Sequence, residues 1–255
     1  MDRQEVLNRL DEERRSLARD GEILEMLPSV TRGRSTDGRQ RWIICSSLTA
    51  QTADAAIARE IEHHGGLSVG FEWKLYSHDA PSDLRDRLER HGLETGPQEA
   101  VLVYDLNDPA AWMDQVDTSA VVRIERLAQI DDYRQVTDAV FEYPDDFIAQ
   151  ELASALRAGS TQHLGYIAYA GNEPVSVGRL YTHPDSHFAG LYGGGTLAAW
   201  RGRGFYRALI AVRAQDAIAA GARYLLVDAL PTSRPILERL GFQWITDTWP
   251  CQWRP

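Results

Sequence analysis

The stretch Thr196–Arg207, T-L-A-A-W-R-G-R-G-F-Y-R, stands between a glycine-rich apolar segment and a long amphipathic run. The preceding segment, Phe188–Thr196, predicts a strand, and glycine inside a strand often marks a place where a ligand or another backbone comes close. The residues after the stretch space apolar side chains three to four apart up to Gly221, which stands where a helix C-cap glycine belongs. The sequence therefore predicts a strand, a tight loop and a helix.

The loop itself has the composition of an anion site. Glycines at positions 202 and 204 let backbone N–H groups turn toward an anion at the positive end of the helix. Arg201, Arg203 and Arg207 add formal positive charge beside them. The loop predicts a phosphate or pyrophosphate site, and the alternative is a surface loop without a ligand.

The segments downstream of the loop give it a context. Tyr224–Ala229 is a short apolar run that predicts a buried strand, and Ser233–Phe242 predicts a helix that ends in L-G-F. This order of strand, R-G-x-G loop, helix, strand, helix and L-G-F resembles the core of the GNAT superfamily of N-acetyltransferases over Val121–Phe242. In that superfamily the loop reads R/Q-x-x-G-x-G/A, and its amides bind the pyrophosphate of acetyl-CoA.

The resemblance implies acetyl-CoA as the cosubstrate and assigns positions to it. Arg201 matches the opening R/Q and Gly204 the central glycine, whereas Tyr206 replaces the final small residue. Leu197 stands where the superfamily's strand offers backbone to the pantetheine arm. The residues expected to bind the cosubstrate are Thr196, Leu197, Arg201, Gly202, Arg203, Gly204, Phe205, Tyr206, Arg207 and Ser233.

The catalytic residues are less well defined by the sequence. Leu237 stands at the position of the tyrosine that commonly protonates the departing thiolate in the superfamily. We expect Asp228 to handle the acceptor's proton, because an aspartate inside an apolar strand needs a partner or a purpose, and Tyr192 is the second candidate. The alternatives are that Asp228 caps a turn or pairs with an arginine, and that Tyr192 only packs in the core.

A connection between two predicted helices is a candidate for contact with the acceptor. Asp131 and Pro144 mark the starts of these helices, and the superfamily places its acceptor-facing elements there. Glu142, Tyr143 and Asp145 in the connection are thus candidates to meet the substrate, and solvated turn residues are the alternative.

The first half of the chain echoes the second. Leu88–Leu93, L-E-R-H-G-L, matches Leu237–Phe242, L-E-R-L-G-F, and Asp79 falls on Asp228 at the same offset. We interpret this as an internal duplication, although capping chemistry alone can end two helices alike. The loop Ser46–Gln51 has neither glycine nor arginine, so the first half should not hold a CoA pyrophosphate.

The predicted fold class is α/β with a mixed sheet, a GNAT-like tandem of a degenerate and an intact half. Asn107–Ser119 is the predicted linker, which gives a degenerate GNAT-like domain over residues 1–117 and a GNAT acetyltransferase domain over residues 118–255. The first segment carries Leu10, Leu17 and Leu24 at seven-residue spacing, which predicts an amphipathic helix that packs on the protein and is broken at Asp20-Gly21, with a homodimer helix as the alternative.

Composition limits the partners. Lys and Arg number 27 and Asp and Glu 37, a net charge of −10 without a basic block, so neither nucleic acid nor an anionic membrane is an expected partner. The two cysteines lack metal-site spacing, and nothing resembles a signal peptide, so a cytoplasmic enzyme without a metal is expected. The predicted function is transfer of an acetyl group from acetyl-CoA to an amine of a small-molecule acceptor, and the alternative is a non-catalytic acyl-CoA-binding regulatory module.

Overall fold

The computed structural model describes residues 1–141 and 146–255. Its helices are α1 (Arg3–Ser16), α2 (Ala53–Gly66), α3 (Leu84–Arg90), α4 (Trp112–Gln115), α5 (Gln129–Val140), α6 (Asp146–Ala158), α7 (Phe205–Ala219) and α8 (Arg234–Arg239). Its strands are β1 (Glu22–Met26), β2 (Val30–Ser35), β3 (Arg41–Ser46), β4 (Phe71–Tyr76), β5 (Glu94–Thr95), β6 (Glu99–Asp105), β7 (Val121–Arg123), β8 (His163–Ala170), β9 (Glu173–Tyr181), β10 (Phe188–Thr196), β11 (Tyr224–Ala229) and β12 (Gln243–Trp253).

The chain divides by compactness into two units. The N-terminal unit contains Met1–Val103 together with Asp228–Pro255, and the central unit is Tyr104–Val227. The last 28 residues group with the N-terminal unit because β12 pairs along its length with β4 and β6. The predicted division at residue 117 into a degenerate and an intact domain differs from this grouping and stays a prediction about autonomous folding.

The N-terminal unit is built on a mixed sheet in the order β1-β2-β3-β4-β12-β6, with β5 also paired to β12. The pair β3 and β4 is parallel, and the other neighbours are antiparallel. Helices α2 and α3 bury apolar residues against it, and the shared core includes Ile43, Ile57, Trp73 and Leu88. Helix α1 buries Val6, Leu7 and Leu10.

The central unit has a sheet in the order β11-β10-β9-β8-β7, in which only β10 and β11 run parallel. Helices α5 and α6 cover one face, where Tyr133 and Leu152 pack in a core with Val177. Helix α7 covers the other face, since its Arg213 lies against Gly178 and adjacent strand residues point to opposite sides. The two faces of β9 therefore pack against different helices, α5 and α6 on one side and α7 on the other.

The two halves repeat one topology. Three antiparallel strands (β1-β2-β3), helix α2, the parallel strand β4 and helix α3 are matched by β8-β9-β10, α7, β11 and α8. The similar sequences at the ends of α3 and α8 have a common structural cause. Leu88 and Leu237 are fully buried, and their carbonyls accept the N–H groups of Leu93 and Phe242 across left-handed glycines, as in a Schellman cap. The tandem fold is confirmed.

The repeat does not hold residue by residue. Asp79 lies in the turn after β4, whereas Asp228 lies inside β11. The N-terminal helix ends at Ser16, so Leu24, which its heptad spacing placed in a helix, belongs to strand β1. Within the predicted linker, Trp112–Gln115 forms a short helix, and the linker itself stays a prediction.

Candidate functional site

Strand β10 opens along one edge. Its parallel pairing with β11 joins Phe188, Ala189 and Gly190 to Tyr224, Leu225 and Leu226, and the described pairs end there. On the other edge a bulge shifts the register with β9 between Tyr192 and Gly195, and Gly193 adopts a left-handed φ of 56°. The first four residues of β10 are buried, but Gly194 is exposed. Backbone donors and acceptors of a central strand are thus accessible at the bulge.

The loop after β10 presents further backbone donors. Gly202 and Gly204 have φ of 74° and 92°, which favours glycine at both positions. Gly204 is the N-cap of α7 and supplies no side-chain acceptor, and its carbonyl receives the first helical bond from Ala208. The N–H groups of Phe205 and Tyr206 in the first turn consequently point outward without a helical acceptor.

Arginines surround this helix end. Arg201, Arg203 and Arg207 are exposed, and none of them forms an ion pair with any residue the structure describes. The Arg201 Nε donates to the Thr196 carbonyl at 3.2 Å, and the Arg203 guanidinium lies 4.6 Å from the centre of the Trp200 ring. Three positive charges therefore lie beside open backbone donors, an arrangement that attracts a phosphate group.

Tyr206 is accommodated by a glycine of the neighbouring strand. A Cβ on Gly194 would lie 2.9 Å from Cε2 of the tyrosine, so the ring occupies space that only a glycine leaves. Burial raises the pKa of Tyr206, which keeps its hydroxyl neutral. The bulky residue in place of the small one in the loop pattern is thus compensated by the missing side chain at position 194.

The remaining predicted cosubstrate residues use their polar groups within the protein. The Thr196 hydroxyl lies 2.6 Å from the Ser176 hydroxyl. Leu197 donates its N–H to the Val175 carbonyl, and its own carbonyl accepts from Trp200. The Ser233 hydroxyl donates to the Leu230 carbonyl at 3.2 Å. Roles for these residues in cosubstrate binding stay predictions. The Leu197 carbonyl accepts one hydrogen bond, so its second lone pair can accept another from a ligand.

Asp228 is held by an ion pair. Its Oδ2 lies 3.0 Å from the Lys74 Nζ, which also lies 3.1 Å from Oε2 of Glu99. Burial lowers the pKa of Lys74, but Asp228 and neighbouring carboxylates outweigh it and raise the pKa well above its usual value. Burial raises the pKa of Glu99. The partner is a lysine rather than the arginine considered from the sequence, and the catalytic role of Asp228 stays a prediction beside this structural one.

A polar cluster that the sequence analysis missed lies on the α5 and α6 face of the central unit. Arg179 on β9 and Glu151 on α6 approach to 3.5 Å between Nη1 and Oε2, and the Tyr181 hydroxyl donates to the same Oε2 at 2.9 Å. The His163 ring stacks on Tyr181 with 4.0 Å between centroids, and Tyr192 meets Tyr181 edge-on at 5.2 Å. The available signal was Arg179 itself, a charged residue within the apolar strand V-S-V-G-R-L-Y.

Two further sequence predictions have different outcomes. Glu142, Tyr143 and Asp145, the candidates for acceptor contact, lie outside the described residues. Leu237, at the position of the superfamily's tyrosine, is fully buried in α8.

Among the described residues, no group of three or more His, Cys, Asp or Glu side chains could hold a metal ion. None of the described helices combines the length and apolar character that a membrane span requires.

Comparison with known proteins gives structural relatives only. No family model and no curated protein matches the sequence. A GCN5-related N-acetyltransferase from Kribbella flavida superposes with a TM-score of 0.63 at 14% identity, over 99% of this chain and 94% of that one. A tandem GNAT protein from the clavulanic acid biosynthesis pathway has a TM-score of 0.58 at 12% identity, over 93% and 84% of the two chains. A conserved protein of unknown function from Staphylococcus epidermidis ATCC 12228 has a TM-score of 0.67 at 15% identity, over 93% and 96%.

These likenesses agree with the topology and the site described above. The chain has the fold of the GCN5-related N-acetyltransferases, in a tandem arrangement. Within that fold, the second repeat carries the strand bulge and the glycine-arginine loop.

Proposed function

We propose that this protein is an N-acetyltransferase that moves an acetyl group from acetyl-CoA to an amine of a small molecule. The observation that supports it most strongly is the loop between β10 and α7. Two left-handed glycines, outward N–H groups at the start of a 15-residue helix and three arginines that form no ion pair with a described residue suit a pyrophosphate. A Cβ at Gly202 or Gly204 would meet no atom within 4 Å, so the space over the loop is open.

The residues present fit the rest of the cosubstrate as well. The β10 edge from Leu191 to Thr196, beyond the last described pair with β11, offers backbone groups to the amides of a pantetheine arm. Arg201, Arg203 and Arg207 would neutralise the phosphates. Bound there, acetyl-CoA would supply an activated acetyl group, so that a C–N bond forms to the amine as the C–S bond to CoA breaks.

The chain must then place the acceptor and move protons. An amine attacks only when it is neutral, so a base has to take the ammonium proton, and the departing thiolate gains a proton. We propose Asp228 as the acceptor of the first proton and Tyr192 as the donor of the second. Tyr192 is half-buried at the start of the β10 bulge, and its ring lies over Gly190 and meets Tyr181 edge-on.

A non-catalytic acyl-CoA-binding module is the second candidate. It is favoured by Leu237, a buried apolar residue where the superfamily has its acid, and by the Lys74 ion pair that holds Asp228. Such a module would bind the cosubstrate and respond by conformation or by binding a partner.

Two measurements on the full chain distinguish these functions. Calorimetry with acetyl-CoA should give one site per chain, because the first repeat lacks the glycine-arginine loop. Release of CoA thiol, followed with a thiol reagent over a panel of amines, should then rise above the rate without amine. Tight binding with no amine-dependent thiol release would identify the module instead, and absence of binding would exclude both functions.

A further inference from the structure

The guanidinium of Arg179 is a buried cation with unused donors. Arg179 is only 9% exposed. Among the described residues, Glu151 supplies the carboxylate next to it, and the Glu151 Oε2 lies 3.5 Å from the Arg179 Nη1. Its Nε has no hydrogen-bond partner among the described residues, and the same holds for the hydroxyl of Tyr133, which is 1% exposed. Buried donors of this kind cost free energy unless an acceptor reaches them.

A second buried guanidinium strengthens the positive potential there. Arg213 on α7 is 1% exposed and forms no ion pair with any described residue. Its Nη1 donates to the backbone carbonyl of Arg179 at 3.1 Å, from the opposite face of β9. Two guanidinium groups therefore flank one strand, with Glu151, whose side chain is 32% exposed, as the neighbouring carboxylate. Among the residues that the structure describes, buried positive groups thus outnumber buried negative groups around β9, which favours an anion.

The unused donors converge on the bulge of β10. A Cβ on Gly193 would lie 3.2 Å from the Arg179 Nε, 3.4 Å from its Nη2 and 3.3 Å from the Tyr133 hydroxyl oxygen. Because residue 193 is glycine, this position adds no side chain over the Nε–Nη2 edge of the guanidinium. The adjoining residue Gly194 is exposed, so this edge lies next to the accessible part of the strand.

We propose that the Nε–Nη2 edge of Arg179, assisted by the Tyr133 hydroxyl, binds a carboxylate of the acceptor. The acceptor class is then amino acids and closely related molecules that carry a carboxylate near the reacting amine. This inference rests on the proposed function, since it places the acceptor at the β10 bulge.

The chemistry of the site selects a carboxylate over other anions. The Nε and Nη2 hydrogens of a guanidinium form a planar fork that matches the two oxygens of a carboxylate, and the tyrosine hydroxyl adds a third donor. On the other side of Arg179, the Glu151 carboxylate and the Tyr181 ring already face its guanidinium. The Nε, which has no hydrogen-bond partner among the described residues, is the donor that remains for an acceptor carboxylate.

The test compares L-amino acids with the amines that result from their decarboxylation. Binding of L-phenylalanine, L-lysine and L-alanine, and of phenethylamine, cadaverine and ethylamine, is measured by calorimetry on the full chain saturated with CoA. This readout does not require turnover, so it separates a failure of this inference from a failure of the proposed acetyl transfer. We expect at least one amino acid to bind about 10-fold or more tightly than its amine, as a charge-assisted hydrogen bond pair allows.

Variants identify the residue responsible. Arg179→Gln should reduce that preference to about 2-fold or less by weakening the amino acid and leaving the amine unchanged, since only the carboxylate contact is lost. Tyr133→Phe keeps the packing of the ring and should remove part of the preference. Unchanged affinity for CoA in both variants serves as the check on folding.

Three results would overturn the proposal. One is that no amino acid binds, and another is that the amines bind as well as their amino acids. The third is that Arg179→Gln weakens both members of a pair equally, which would mean that the guanidinium acts on the reacting acetyl group or on the fold and not on an acceptor carboxylate.

Discussion

The loops that follow β3 and β10 occupy the same place in the two repeats. Both strands carry a bulge just before the loop, between Ile43 and Cys45 in β3 and between Tyr192 and Gly195 in β10. In β3 the bulge is filled by Ile44 and followed by Cys45, whereas β10 has glycine at 193, 194 and 195. A register shift is therefore present in both repeats, whereas the left-handed glycine and the missing side chains occur only in β10.

The loops differ in the same way. After β3, the Thr49 carbonyl accepts the N–H groups of Thr52 and Ala53 at the start of α2, and the Thr52 hydroxyl accepts the N–H of Thr49. The Arg87 side chain donates to the Ala50 carbonyl and ties the loop to α3. After β10, Gly204 leaves the first turn of α7 open. The first N–H group of α2 is therefore bonded within its own loop, whereas no such bond closes the start of α7 among the described residues.

The largest effect should follow from closing the open loop. Gly204→Val places a β-branched residue at φ 92°, which forces the loop away from the geometry that aims its N–H groups. Losing two or more charge-assisted hydrogen bonds should weaken acetyl-CoA about 100-fold or more in calorimetry.

The first repeat offers a matched control for that variant. Gly38→Val places the same residue at φ 73° in the turn between β2 and β3, with similar strain and no loop donor nearby. It should leave the affinity for acetyl-CoA unchanged. Equal affinities of the folded Gly204→Val variant and the native protein would show that the loop does not hold the cosubstrate.

The Asp228→Asn variant tests whether Asp228, which belongs to the N-terminal unit, contributes to acetyl transfer. If Asp228 is the base, kcat should fall by ~10² with unchanged acetyl-CoA affinity, because the amide keeps its size but loses its basicity. Glu99→Gln is the control, since it also removes a carboxylate from Lys74 and leaves Asp228 in place. Equal losses of kcat in the two variants would assign Asp228 to the ion pair alone.

A smaller effect tests the packing of the buried arginine on the central sheet. Gly178→Ala puts a Cβ at 2.8 Å from the Arg213 guanidinium carbon, so the side chain must move and its bond to the Arg179 carbonyl is disturbed. We expect the free energy of unfolding in urea to fall by about 1–3 kcal/mol, the usual range for overpacking.

The N-terminal unit again supplies the control. Gly66→Ala lies in the last turn of α2, where a Cβ meets no atom within 4 Å, and should change stability by less than about 0.5 kcal/mol. A Gly178→Ala variant as stable as Gly66→Ala would mean that the guanidinium shifts without cost.

The smallest effect is a difference between the units at alkaline pH. Burial raises the pKa of Cys251 in the N-terminal unit from 9.0 to about 11, and burial followed by the bond to Asp132 raises the pKa of Tyr169 in the central unit from 10.0 to about 12. Both groups hold their protons more tightly when folded, so their contribution is complete below the unfolded pKa and is lost as pH rises through the folded pKa.

Urea unfolding should therefore show a loss of stability that begins near pH 9 and continues to about pH 12. Cys251→Ala should remove the part between pH 9 and 11, and Tyr169→Phe the part between pH 10 and 12. Variants whose pH dependence equals that of the native protein would contradict the assignment.

Local patterns in the sequence predicted most of the second repeat. The strands Phe188–Thr196 and Tyr224–Ala229 have the bounds expected from their apolar runs, and α7 and α8 end before Gly221 and Gly241 as their caps require. The left-handed residues Gly38 and Gly171 likewise form the turns of the hairpins β2-β3 and β8-β9. These features are set by residues within a few positions of one another.

Features that depend on distant residues could not be predicted in this way. Strand β12 lies between β4 and β6, and the residues that it pairs with are at least 140 positions earlier in the chain. The partner of Asp228 is Lys74 for the same reason. The cluster of Arg179, Glu151 and Tyr133 comes from three separate elements, and only the paired strands and packed helices bring it together.

The sequence by itself determined the elements, the repeat and the glycine-arginine loop, because periodicity, capping and left-handed glycines act over short stretches of chain. Only the tertiary structure decided which bulge is open, which helix end is satisfied and where the charged groups at 179, 213 and 228 find or lack partners. The physical reason is that burial and electrostatic pairing are properties of groups distant in sequence that folding brings within a few ångströms of each other.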